Sequence, residues 1–463
     1  MPSNLANADA APVPRQRIAV VGAGIAGLSS AWLLAERHDV TLFESEARMG
    51  GHSNTVDAPL GQGLVPVDTG FIVYNEPAYP NLTALFRHLG VPTAETDMSF
   101  AVSLDQGALE YAGTDLRGLF AQKRNLLRPR FWAMLRELMR FYREAPRDAA
   151  AAGDQALDAY LDAHGYGRAF REDHLYPMAA AIWSAPAAQL GRYPMASFVR
   201  FCENHGLLQL SQRPAWRTVT GGSREYVRRL QHRIEDRLQC DRAVLELRRE
   251  ADGVWLRTAE GWWPQRFDQV VLGTHADRSL AMLNDATHDE QRLLRAFAYS
   301  RNLAVLHSDP ALMPQRRAVW CSWNYLAERN SAAPPVVSYW MNRLQAHLPQ
   351  GADARQFFVT LNPAQPPRPE TLIRTEVYDH PLFDAAAMAA QRQLWRLQGQ
   401  RRTWYCGSYF GAGFHEDALQ SGLAVAEALG GVRRPWQVPN ESGRIHLRPG
   451  RDARARDPAE VIG

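Results

Sequence analysis

A short apolar run, Ile18-Ala19-Val20-Val21, is followed at once by Gly22, Gly24 and Gly27 at GxGxxG spacing. No other feature limits the fold so tightly. The run predicts a buried parallel strand, and the stretch after it, with Leu28, Trp32 and Leu33, predicts an apolar-faced helix. A second strand, Val40 to Phe43, ends in Glu44, twenty positions after Gly24. Strand, glycine turn, helix, strand and acid in this register form a βαβ unit that holds a dinucleotide. Gly22 allows the tight turn, Gly24 lets the backbone approach a pyrophosphate, and Gly27 lets the helix pack on the strand. Ile25 and Ala26 open the helix, whose unpaired N–H groups and positive dipole end face the phosphates. Glu44, followed by Ser45, is placed to accept hydrogen bonds from a ribose diol.

A chain of 463 residues is too long for one compact core, so two domains are expected. The net charge of +3 is too small to point to nucleic acid. Cys202, Cys240, Cys321 and Cys406 are scattered without CxxC spacing, which argues against a disulfide framework or a metal site and suits a reducing cytoplasm. The N-terminal residues carry no apolar segment of the secretory kind, and no window approaches the ~18 apolar residues of a spanning helix. Lys123 is the sole lysine, so any chemistry needing a catalytic lysine has one candidate.

Further glycine motifs follow the first. Arg48-Met49-Gly50-Gly51-His52 comes soon after Glu44, and Asp68-Thr69-Gly70-Phe71 follows it. Adjacent glycines let backbone pass close to a flat ligand. Thr220 to Ser223 open a helix, and Ala243 to Leu247 and Val270 to Leu272 read as strands. Near the far end, Thr403 to Gly407 reads as a strand, Gly411 to Asp417 as a loop, and Ala418 to Leu429 as a helix carrying Ser421-Gly422.

On these motifs the chain resembles the flavin-containing amine oxidase superfamily, which includes phytoene desaturases and protoporphyrinogen oxidases. The strings GGHSNT, IWSAP, RFCENHGLL, WRTVTGGSREYV, SWNYL and GFHEDALQSG resemble a bacterial subgroup of predicted NAD/FAD-binding proteins associated with cyclopropane-fatty-acid-synthase-type enzymes. The resemblance implies an α/β fold: a Rossmann-like FAD-binding domain of the amine-oxidase type interleaved with an α+β substrate domain. The FAD domain would comprise 15–75, 212–280 and 400–432, and the substrate domain 76–211 and 281–399. Residues 1–14 are expected to be a disordered lead-in, and 433–463 a tail expected to be loose from Arg444. It also implies FAD contacts at Arg48, Gly50, Gly51, His52, Thr69, Gly70, Phe71, Gly407 and Ala418, with Val244 meeting the adenine through its backbone. Glu416 or Asp417 would approach the ribityl and phosphate part. Members of the family attached covalently to flavin use a cysteine upstream of the last FAD loop. Val377 to Trp395 contains none, so FAD is expected to be non-covalent.

Amine oxidases place a lysine near flavin N5, and the matching position here is Asn302. This departure weighs against amine oxidation. His52 stands where many relatives have arginine; it either contacts the cofactor or is satisfied by backbone groups. His415 is either a flavin-edge residue or one bonded locally. Trp323, Asn324, Tyr409, Asn204, His205 and His174 complete the polar candidates. Trp183, Tyr193, Phe198, Phe201, Trp320, Tyr325, Tyr339 and Trp340 either line a tunnel for a lipophilic substrate or fill the core. The resulting expectation is an FAD-dependent oxidoreductase that desaturates or dehydrogenates a fatty-acyl or lipid chain. With no second GxGxxG unit, electrons would pass to oxygen, a quinone or a carrier protein. The alternatives are oxidation of an amine or carotenoid, a non-redox flavin isomerase or mutase, and a membrane-associated flavin-binding protein.

Residues 117–147 carry nine basic side chains against Glu137 and Glu144, with Phe131, Trp132, Leu135, Leu138, Met139 and Tyr142 at helical spacing. The segment is either a basic amphipathic helix lying on an anionic membrane or an ordinary helix with one face in the core.

Overall fold

The computed structural model describes residues 14–153, 155–183, 190–209, 213–329, 336–351 and 353–447. A parallel five-stranded sheet runs in the order Leu238–Gln239, Asp39–Phe43, Arg17–Val21, Gln269–Leu272, Thr403–Tyr405. Its strands thus come from three separated stretches of chain. Both faces are covered, which is why the strands read as near-continuous apolar runs: Ile18, Ala19, Val20 and Val40 are wholly buried. The helix Ile25–Leu34 is buried along its entire length. It packs against the C-terminal helix His415–Gly430. A Cβ at Gly422 would lie 2.1 Å from the Ala26 carbonyl oxygen, so only glycine permits this approach.

A second, seven-stranded sheet runs Leu372–Leu382, Ala298–His307, Phe358–Leu361, Val336–Trp340, Trp323–Ala327, Phe100–Leu104, Leu109–Ala112. Its pairs are antiparallel except Trp323–Ala327 with Phe100–Leu104. Helices Pro129–Asp148, Tyr176–Trp183 and Met195–Asn204 form a layer packed beside it.

Three expectations are corrected here. The last helix starts at His415 rather than Ala418, because the Asp417 carboxylate accepts the Phe414 N–H (2.8 Å) and draws the loop into a first helical turn. The tail is not loose at Arg444. That guanidinium lies 2.6 Å from Asp417 and donates to the Ala78 carbonyl (2.7 Å), while Trp436 stacks on Trp32. Residues 1–13 and 448–463, the rest of the expected lead-in and tail, lie outside the described residues. Finally, the basic segment is not one helix. It divides into Leu116–Leu119, a 3-10 turn at Lys123–Leu127, and Pro129–Asp148, with Pro129 restarting the helix at its first position. The four cysteines are unpaired.

Candidate active site

A cavity of about 880 Å³ opens at the carboxyl ends of the parallel strands and runs into the seven-stranded sheet and the helical layer. One end is built from the glycine motifs. No side chain caps the helix that begins at Ile25, so its first-turn N–H groups are left for a ligand. Gly50 and Gly51 adopt φ of +111° and +54°, and a Cβ on Gly51 would sit 3.1 Å from the Gly24 Cα. The two glycine turns therefore meet backbone to backbone, and a Cβ at Gly24 would find nothing within 4 Å. Glu44 is held at its strand end by the Ala23 N–H (2.8 Å) on one oxygen and by Ser45 Oγ and the Glu46 N–H (both 3.0 Å) on the other. Arg48 donates to the Gly51 carbonyl (2.7 Å), bracing the paired-glycine turn.

Gly22, Gly24, Ile25, Ala26, Glu44, Ser45, Arg48, Gly50, Gly51 and His52 all line the cavity, as do Thr69, Gly70, Phe71, Val244, Gly407 and Ala418. Gly27 does not. Its part is packing, since a Cβ there would fall 1.9 Å from the Gly22 carbonyl oxygen. Glu416 and Asp417 are also absent from the lining, which corrects the expected role of either acid. Both Glu416 oxygens are consumed by protein donors: the N–H groups of Asn81 and Leu82 at the start of helix Pro80–Leu89, and the amides of Asn81 and Gln420. Asp417 is committed to Phe414 and Arg444. These acids join elements and do not touch the cavity.

Among the polar candidates, His52, Trp323, Tyr409, His205 and His415 line the cavity. The His415 ring stacks on Phe71 at 4.0 Å, and its Nε2 lies 2.7 Å from the Tyr226 hydroxyl. Burial pushes its pKa down to about 3, so it is a neutral, locally bonded ring at the cavity wall. Asn302 and Asn324 are corrected. Asn324 is wholly buried and bonded to Cys321 and Ser338 backbone, which makes it a turn lock. Asn302 lies behind the wall. Its Oδ1 accepts from Asn362, and its Nδ2 donates to Ser300 O (3.0 Å) and to His380 Nδ1 (3.1 Å). His174 lies between the hydroxyls of Tyr111 and Tyr142, away from the cavity. Asn204 faces solvent.

Sequence reasoning missed His275, His380 and Tyr378, which surround His52 with ring centroids 6.3, 5.6 and 4.9 Å away. His275 follows the strand Gln269–Leu272, at the carboxyl edge where parallel sheets bind ligands, and that position was a usable signal. Tyr378 and His380 share one face of the edge strand Leu372–Leu382 by two-residue alternation, but nothing local says which face meets the cavity. Burial lowers the pKa of His52 well below the ordinary histidine range, helped by the neighbouring His380, His275, His415 and Arg48; His380 is held down to about 4. Trp183, Phe201 and Tyr339 line the cavity with Trp323, whereas Tyr193, Phe198, Trp320, Tyr325 and Trp340 belong to the core or its edge.

An uncapped helix start, an acid at the end of the neighbouring strand and a glycine-paved floor fit a dinucleotide carrying a flat ring system. Fold and cradle define a flavin-binding oxidoreductase. The family model of flavin containing amine oxidoreductases matches residues 25–308, and the chain belongs to that family. It is an FAD-dependent oxidoreductase. Solved structures share the fold. A fatty acid isomerase from P. acnes that produces CLA is 16% identical with TM-score 0.62, over 89% of this chain and 98% of that one. Cyclohexylamine oxidase from Brevibacterium oxydans is 15% identical with TM-score 0.63, over 90% and 100%. A putrescine oxidase bound to putrescine is 14% identical with TM-score 0.61, over 90% and 99%.

Proposed function

We propose that the protein dehydrogenates a lipophilic chain bearing one small polar group, a fatty acid or a lipid made from one, leaving a new double bond. The observation that carries this is the second half of the cavity, which is walled by Ile182, Trp183, Phe201, Leu207, Trp216 and Trp323 and is continuous with the glycine cradle. FAD, when bound there, supplies the acceptor for the hydride. The protein's own part is to orient the chain, exclude water and take up the proton. His52 suits the last task. Its ring has no hydrogen-bond partner among the described residues, it lines the cavity, and its depressed pKa keeps it unprotonated near neutral pH. His380 cannot share that role, because its Nδ1 accepts from Asn302 and only an Nε2–H remains to donate. The two electrons then leave to oxygen, a quinone or a carrier protein.

Two orphaned atoms support a polar head on the substrate. Trp183 Nε1 and His205 Nε2 are buried without partners among the described residues, and both rings pack on Phe201 with centroids 4.8 and 4.0 Å from it. His205 uses Nδ1–H on the Phe201 carbonyl (2.8 Å), so its Nε2 is an acceptor. One donor and one acceptor match a hydroxyl or an un-ionised carboxyl group, and leaving them unpaired is costly. The test is anaerobic mixing of the FAD-loaded protein with fatty acids, fatty alcohols, polyisoprenoids and primary amines. Loss of oxidised-flavin absorbance with the first two, and a product two hydrogens lighter, is the expected result. Bleaching by amines alone overturns the proposal. Double-bond migration without net electron transfer would make the protein an isomerase instead.

A further inference from the structure

The helical layer carries a surface that the catalytic reading leaves unused. Where the chain breaks between Leu119 and Pro129, large apolar side chains stand in solvent: Leu127 is 87% exposed, Leu116 72% and Trp132 48%. They are contiguous. The Trp132 ring lies 5.6 Å from Phe120, one turn beyond Leu116, and its Nε1–H donates to the Leu126 carbonyl (2.9 Å), which pins the indole against the exposed Leu126-Leu127 tip. Met139, half exposed, continues the stripe two turns along the helix. Phe131, Met134, Leu138 and Phe141 of the same helix are buried, so the core is already served by another face.

Basic side chains dominate the charges around this stripe. Arg117, Lys123, Arg124, Arg136 and Arg147 are exposed and have no carboxylate within ion-pair distance among the described residues. The segment's two acids are already engaged: Glu137 accepts the Gly167 N–H (2.7 Å), and Glu144 is paired with Arg143 and accepts from the Tyr166 hydroxyl. An apolar tip with an interfacial tryptophan, set in unneutralised arginine and lysine, is complementary to a layer that is anionic at its face and apolar beneath. No helix among the described residues is long and apolar enough to cross a membrane, so contact would be superficial.

We propose that this face docks the protein on anionic phospholipid bilayers, with Leu126, Leu127 and Trp132 entering the headgroup boundary and the basic side chains meeting lipid phosphates. The experiment uses the full FAD-loaded chain and phosphatidylcholine vesicles prepared with and without phosphatidylglycerol, followed by flotation. Anionic vesicles should bind at least about tenfold more tightly than neutral ones, and added salt should weaken the binding. The variant Lys123→Gln/Arg124→Gln/Arg136→Gln should lose about tenfold on anionic vesicles. Leu126→Ser/Leu127→Ser should lose binding at all lipid compositions. Flavin absorbance and thermal unfolding report that each variant is folded. Brominated phosphatidylglycerol should quench the wild-type tryptophan emission and quench Trp132→Phe much less. No flotation at low salt overturns the proposal, as does flotation that both variants retain, or self-association through this face without lipid binding.

Discussion

At His52 the surroundings determine a direction that can be measured. Burial disfavours the imidazolium, and the neighbouring rings and Arg48 add to the cost, so the neutral form persists into acid well below the usual histidine range. A base of this kind loses activity only as pH falls through its depressed pKa. The rate of flavin reduction in single turnovers should therefore stay flat from neutral pH down past the ordinary histidine value before falling. His52→Gln should lower that rate by roughly 10²-fold or more while leaving FAD bound. A break at the ordinary histidine value, or an unchanged rate in the variant, would remove His52 from the chemistry. Glu416 makes the opposite case. Glu416→Ala strips acceptors from the first N–H groups of helix Pro80–Leu89 and from two buried amides, so it should cost about 2–3 kcal/mol in denaturant unfolding. Its FAD dissociation constant, read by flavin fluorescence, should barely change. This residue was misjudged from sequence because an acid in a cofactor-proximal loop looks the same whether it faces the ligand or turns back to cap a neighbouring helix. The partner that decides, Asn81, lies 335 residues away.

Elements were legible where their signal is local. The strand, turn, helix and acid of Arg17 to Glu44 encode their own geometry, and so does the paired-glycine turn. The seven-stranded sheet was not legible as an assembly. Its strands come from two distant regions of the chain, 100–112 and 298–382, and registers such as Asn302 opposite Tyr378 arise only on pairing. Asn302 was therefore assigned to the cavity, whereas Tyr378, opposite it on the edge strand, lines the cavity and Asn302 does not. Joining of elements over distance is sharpest at Arg249. Its guanidinium is 1% exposed and bonds both oxygens of Glu290 (2.5 and 3.0 Å), which also accepts from the Tyr405 hydroxyl (2.6 Å) and the Thr287 N–H (2.7 Å). One carboxylate thus ties the Val244–Glu250 ribbon, the capped helix His288–Leu294 and the last strand of the parallel sheet. Glu290→Ala leaves a buried guanidinium short of its main partner and should cost about 3–5 kcal/mol by chemical denaturation. A loss under 1 kcal/mol would mean that Asp285, 2.7 Å from the same guanidinium, carries the junction instead.

At the scale of the whole molecule, histidines set the acid limit of the fold. His174, His205, His307 and His380 sit in different places: the helical layer, the cavity wall, the end of the second strand of the large sheet and its edge strand. Burial lowers each to about 4 from an ordinary value of 6.5. Between those values the unfolded chain holds a proton that the folded chain refuses, so falling pH favours unfolding. Their stabilising contribution is complete above pH 6.5 and is lost as pH falls toward 4. Each such group adds a slope of at most about 1.4 kcal/mol per pH unit across this window, against a total stability of order 5–15 kcal/mol. Half of the combined slope amounts to about 5–6 kcal/mol over two pH units, enough to unfold a chain at the lower end of that range before most carboxylates are protonated. Circular dichroism during acid titration should show a cooperative transition between about pH 6 and 4, with a potentiometric uptake of at least about two protons at the midpoint. FAD binds only the folded chain, so saturating cofactor should move the midpoint to lower pH. His307 gives the cleanest single test, because it lies far from the cradle, with Nε2 on Thr360 and Nδ1 accepting the Asp309 N–H. His307→Gln should lower the proton uptake by close to one without altering the cofactor-dependent shift. A transition that begins only below pH 4 would show that these rings take up protons in place, through openings of the fold that the static structure does not contain.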